Sequence, residues 1–110
     1  VPRVARVNAL LAEVLGEEIE RLGDVDERLV MLTVTGVETE PDLRHATVFL
    51  ASLPEAGREA LEQHRVRLQA VIARQVRLRR TPSLRFLADP AVVAGAAVEA
   101  ALRRLHASGG

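Results

Sequence analysis

The chain has no cysteine, no tryptophan, no tyrosine and no lysine. Without cysteine there is no disulfide, no thiolate metal site and no cysteine nucleophile, and the composition fits a reducing compartment. Without lysine there is no phosphate-binding loop of the P-loop type, and Gly36 stands alone between Thr35 and Val37 rather than in a glycine-rich run. The aromatics are two phenylalanines, Phe49 and Phe86. The core must therefore be aliphatic, and an aromatic platform for stacking bases is nearly excluded. The longest uncharged apolar run, Ala91 to Val98, is broken by Gly95 and is far too short to span a bilayer. No run resembling a secretion signal opens the chain, and its first residue, Val, leaves open whether a native end is missing.

What is present is one domain's worth of chain. The 110 residues are 48% apolar, so wholesale disorder is not expected. A chain of this size buries roughly 60–70% of its unfolded surface, enough for a single core. The net charge is zero, but the charges are segregated. Residues 1–57 hold five Arg against eleven acids, a net −6, whereas residues 58–85 hold eight Arg against two acids, a net +6. Phosphates respond to the local field rather than to the total, so a neutral chain with one basic segment can bind polyanions.

Apolar spacing gives the element order. Residues 3–22 read as a helix, with Val4, Val7, Leu11, Val14, Leu15 and Leu22 on one face and Gly23 closing it. Pro2 suits the position before or at its first turn. Residues 29–37 read as a strand with Val30, Leu32 and Val34 alternating, and residues 45–51 as a second with Ala46, Val48 and Leu50 on one face. The short turn between them makes an antiparallel hairpin. Residues 55–78 follow a helical pattern, with Leu61, Leu68, Val71 and Ile72 on one side and Arg67, Arg74 and Arg77 on the other. A third strand at 84–88 is expected parallel to 29–37 across that helical crossover. A last helix after Asp89-Pro90 carries Ala91, Val98, Leu102 and Leu105 as its buried stripe, and Gly109-Gly110 fray. The order α-β-β-α-β-α, with helices over one face of a three-stranded sheet, is an α+β domain spanning 1–108.

Catalytic chemistry is hard to find. His45, His64 and His106 lack paired metal-ligand spacing, and no serine sits in a Gly-x-Ser-x-Gly elbow. The carboxylates near Glu17 and Asp24 are splayed around a helix or follow its cap. An enzyme is not expected, nor a metal or cofactor. The basic segment remains: Arg67, Arg74, Arg77, Arg79, Arg80 and Arg85. One or two of these charges would complement a helix C-terminus, but six exceed that need. A strip of guanidinium groups can contact successive phosphates. The strip alone does not separate RNA from double-stranded DNA, or either from an acidic protein partner.

The chain also resembles the ribosome-binding factor A family of bacterial small-subunit assembly factors. The resemblance runs from Arg3 to Leu105 and rests on four segments in order. They are the amphipathic stretch Val4 to Ile19, Asp26 to Leu29 leading into Thr33 to Glu38, Asp42 to Phe49, and Arg77 to Phe86. It implies a fold similar to a type II KH domain, α-β-β-α-α-β, followed here by a C-terminal helix. It also implies a cytoplasmic protein; a monomer is expected, although the sequence does not fix the oligomeric state. Such a protein binds the immature 30S subunit and its rRNA, assists maturation near the rRNA 5′ end, and matters most in the cold. Family members replace the KH Gly-x-x-Gly loop with a helix kink marked by Ala-x-Gly. By position this falls on His64-Arg65-Val66, yet no glycine occurs between Arg58 and Ala94. Either the kink forms without glycine, or residues 55–78 are one helix.

Overall fold

In the computed structural model, residues 3–108 are described. The expectations for Pro2 and for Gly109-Gly110 lie outside them. The elements are α1 (Arg3–Leu22), a 3₁₀ turn (Glu27–Leu29), β1 (Val34–Thr39), β2 (His45–Leu50), α2 (Glu55–Gln63), α3 (Arg65–Gln75), β3 (Ser83–Ala88) and α4 (Pro90–Ser108). Leu11, Val14, Leu15, Ile19 and Leu22 bury one stripe of α1, as the spacing requires. Val7 joins its edge and Val4 is exposed. Gly23 closes α1, its N–H donating to Ile19 O at 3.0 Å. A Cβ there would stand 3.1 Å from Glu20 O, too close for ordinary packing.

The first strand starts five residues later than its β-branched sequence predicts. Asp26 is the reason. Its carboxylate accepts from Arg28 N at 3.1 Å and caps a short helical turn. Leu29, Val30 and Leu32 then donate to carbonyls three residues back, which uses the donors that a strand ladder needs. Val30 and Met31 are consequently exposed, whereas Leu32 is buried. A bulge lies between Val34 and Gly36, leaving Thr35 without a partner in the register. The shift places Val37 opposite Val48, and both are buried. Val34 is half-buried at the core's edge, and β2 buries Ala46, Val48 and Leu50 as its alternation predicts.

The sheet order is β1-β2-β3, with β1 antiparallel and β3 parallel to β2. The third strand therefore runs antiparallel to β1 and pairs with β2, and not parallel to β1 as the crossover alone predicts. The crossover leaves the end of β2 and returns to the free edge of that same strand, because β1 already occupies the other edge. Residues 55–78 are also not one helix. His64 sits at φ −95°, ψ 7° between α2 and α3, and α3 ends at Gln75 with Val76 extended. The break needs no glycine because a polar clasp holds it. His64 Nε2 donates to Asp26 Oδ2 at 3.0 Å, and Arg28 grips the same carboxylate through Nε (2.9 Å) and Nη2 (2.8 Å). Arg28 Nη2 also reaches Gln63 Oε1 at 2.6 Å, on the other side of the break.

The last helix departs from expectation. Ala91, Val98, Leu102 and Leu105 are exposed rather than buried, with Val98 at 58% and Leu105 at 65%. Leu11, Leu15, Val48, Leu68, Ile72 and Leu84, all but fully buried, already fill the inner side of the sheet. Thr35 Oγ1 donates to Asp89 Oδ2 at 2.6 Å and Ala91 N to Asp89 Oδ1 at 2.9 Å, so α4 is anchored at its first turn. These bonds, the Thr35 hydroxyl first, hold the Asp89 carboxyl below its ordinary value.

Two outcomes are expected. Val48→Asp places an unpaired charge in the core and costs about 3–5 kcal/mol in denaturant unfolding, whereas Val34→Asp costs less. The second concerns the clasp. Hydrogen bonding from Arg28, then from His64, holds Asp26 well below its ordinary 3.8. A depressed carboxylate contributes stability above its unfolded pKa and loses it as pH falls through the folded value. Asp26→Asn is thus less stable than wild type at pH 7, and the gap between the two melting curves starts to narrow only below pH 3.8 and closes as pH falls toward the folded value.

Candidate nucleic-acid interface

The basic strip is built along α3 and the loop that follows it. Arg67 and Arg74 are seven residues apart, so they share a face about 10 Å apart along the axis. They do not share a role. Glu18 on α1 is buried to 2% exposure, and it is held by Arg21 Nη1 at 2.5 Å and Arg67 Nε at 3.0 Å. A buried carboxylate without cations would be strongly destabilising, so Arg67 serves the core and offers only its outer guanidinium edge. Arg74 is exposed with no ion-pair or hydrogen-bond partner among the described residues. Arg77 lies beyond the helix end rather than on its face, and with Arg79 and Arg80 it is exposed and equally unpaired among those residues. Arg85, on β3, stands 3.4 Å from Glu40 Oε1.

The direction of α3 decides what these residues meet. It starts beside Asp26, past the carboxyl end of α1, passes Glu18 at Arg67, and its loop reaches the amino end of α1. There Arg79 and Arg80 line a groove of about 570 Å³ together with Arg3 and Arg44. The sequence reading missed Arg3 and Arg44, because both fall in the acidic half of the chain. Only the topology brings them to the basic loop.

The kink residues have structural work. His64 belongs to the Asp26 clasp. Arg65 makes two bonds to Glu62, at 2.9 and 2.6 Å, donates to Leu84 O, and lies 5.3 Å from the Phe86 ring centroid. Those Arg65 bonds lower the Glu62 pKa. Val66 is 81% exposed, and Phe86, at 3% exposure, has no face for a base.

On the outer side of α1, Glu13, Glu17 and Glu20 have no side-chain partners among the described residues. These acids of α1 and the arginines of the α3–β3 loop thus lie on distinct surfaces. His45 is less isolated than its spacing implies. Its Nδ1 lies 3.6 Å from Glu40 Oε2 and 4.0 Å from Asp42 Oδ2, buried and without a hydrogen bond. Glu40, Asp42 and His45 are the group among the described residues whose spacing could hold a metal ion, although Arg85 already neutralises part of it.

Comparison with known proteins bears on this arrangement. Residues 3–102 match the family model described as ribosome-binding factor A. Ribosome-binding factor A of Rubrobacter xylanophilus is 41% identical over 113 residues, covering 98% of this chain and 91% of the relative. The crystal structure of the Thermus thermophilus factor superposes with a TM-score of 0.72 at 37% identity, covering 79% of this chain and 97% of that one. Coordinates of that factor fitted into a cryo-EM map of a 30S complex superpose at 0.62 and 39% identity, covering 76% of this chain and 91% of theirs. The α+β fold is KH-like, as in those structures. With the family model matched over residues 3–102 and a 41% identical relative covering 98% of its length, the chain belongs to the ribosome-binding factor A family.

Proposed function

We propose that this protein is a ribosome-biogenesis factor that binds the immature 30S subunit and its rRNA and assists maturation without catalysis. It acts in the cytoplasm as a monomer, with residues 1–108 working as one RNA-binding domain. The Thermus thermophilus relative fitted into a 30S complex supports the partner. The observation that carries the reading to particular residues is the unpaired guanidinium set Arg74, Arg77, Arg79 and Arg80, on a chain whose net charge is zero. Arg67 and Arg85 extend this strip while remaining tied to Glu18 and Glu40. Such contacts fix orientation on an RNA backbone without reading sequence. Docking of the Arg face on an acidic protein is the less favoured reading.

Salt titration tests the assignment. Each phosphate contact contributes a slope of about −0.7 in log K against log salt, so four give roughly −3 on single-stranded rRNA fragments. Replacing both Arg79 and Arg80 with Ala makes the slope shallower by about 1.4 and leaves the melting curve unchanged. Arg67→Ala behaves differently. It weakens the support of a buried carboxylate and lowers stability by about 1–3 kcal/mol. Equal slopes for wild type and the Arg79/Arg80 variant, with both folded, would remove these residues from the RNA contact.

A further inference from the structure

The groove at the amino end of α1 is more than a patch of charge. Three segments distant in sequence meet there: the first turns of α1, the turn between β1 and β2, and the loop between α3 and β3. Its lining includes Arg3, Arg44, Arg79 and Arg80, none with an ion-pair partner among the described residues. The aliphatic part of its lining is Val4, Val7, Leu43 and Leu78. The volume of about 570 Å³ lies within the roughly 300–1,000 Å³ typical of small-ligand sites. The groove is separate from the helix break at His64. That break is clasped beyond the carboxyl end of α1, and a 20-residue helix is about 30 Å long.

The backbone supplies an independent observation. Leu43 has φ 61°, the left-handed region that glycine or asparagine fills at least cost. It is the only non-glycine residue with positive φ among those described. The turn is held there by Leu43 N to Glu40 O (2.9 Å), Arg44 N to Asp42 Oδ1 (2.8 Å) and Ser83 N to Arg44 O (2.8 Å). The result is a strained leucine whose side chain, 43% exposed, lines the groove instead of the core. Strain of this kind is retained where the surrounding structure over-determines it, commonly at ligand contacts.

An occupant must combine a compact apolar face with anionic groups at its edges. We propose that the groove takes one unstacked nucleotide of single-stranded rRNA, the base on Leu43 and its aliphatic neighbours and the flanking phosphates between the four arginines. This rests on the RNA-binding function proposed above and adds the form of RNA at this site. In an A-form duplex the bases are stacked inside and their edges lie in grooves, whereas a single strand can splay a base outward. Guanidinium planes and aliphatic side chains replace the aromatic platform that the composition lacks. Asp42, the one carboxylate in the lining, is engaged with the Arg44 N–H.

The test uses the full chain and short rRNA-derived oligonucleotides carrying one 2-aminopurine, either single-stranded or within a hairpin stem. Fluorescence of the single strand should rise on binding, as the base leaves its stacked neighbours, and the stem should give no rise. Leu43→Glu should weaken single-strand affinity by about tenfold, equivalent to 1.4 kcal/mol. Leu43→Gly relieves the backbone and removes the apolar side chain, so it should melt no lower than wild type yet bind the single strand more weakly. Unchanged fluorescence, or wild-type single-strand affinity in both variants, would overturn the groove assignment while the salt-dependent binding of rRNA fragments still stood. Loss of small-subunit binding in both variants with oligonucleotide affinity intact would also overturn it and assign the groove to a protein chain. A wild-type protein without salt-dependent rRNA binding would instead remove the functional reading beneath both.

Discussion

The Asp26 carboxylate determines the course of the chain more than any other polar group. It caps the 3₁₀ turn, receives Arg28 through two nitrogens and holds His64 at the junction of α2 and α3. Two departures from regular structure follow from one acid. The chain after α1 turns helically before it becomes a strand, and the crossover bends where no glycine permits it. The bend sends α3 back along α1, toward the amino end of that helix. With α3 laid this way, Leu68, Val71 and Ile72 enter the core beside Leu11 and Leu15.

The same antiparallel course sorts the arginines. At mid-length Arg67 meets the buried Glu18 and, with Arg21, balances its charge. A guanidinium fits this place because its planar donors bond the carboxylate while the rest of the group stays hydrated. Farther along, α1 offers no carboxylate toward α3, and Arg74, Arg77, Arg79 and Arg80 remain unpaired among the described residues. The acids of α1, such as Glu13 and Glu17, point elsewhere and keep their own surface. The acids of α1 and the arginines of the α3–β3 loop are thus separated in space. A chain with no net charge acquires a face that attracts phosphate and another that repels it.

Local pattern and long-range placement differed in how far they could be read. The α1 stripe and the alternation of Ala46, Val48 and Leu50 were legible because burial follows the period of each element. The late start of β1 was not, because residues 29–33 have strand composition and Asp26 overrides it through hydrogen bonds. Nor was the strand partner of β3, since parallel pairing depends on which sheet edge is free. The α4 stripe has helical apolar spacing yet lies exposed, a fact its own residues do not encode. Within the site, Arg79 and Arg80 stood out by density. Arg3 and Arg44 did not, because their proximity arises only after α1, the hairpin turn and the α3–β3 loop converge.

The central claim is that the arginine face, and not the acidic face, meets rRNA on the small subunit. Site-specific photocrosslinking measures this directly. A photoreactive residue is placed at position 79 in one protein and at position 17 in another, and each is bound to immature small subunits. The account predicts rRNA crosslinks from position 79 and none from position 17. Crosslinks to rRNA from position 17, with position 79 silent, would contradict it.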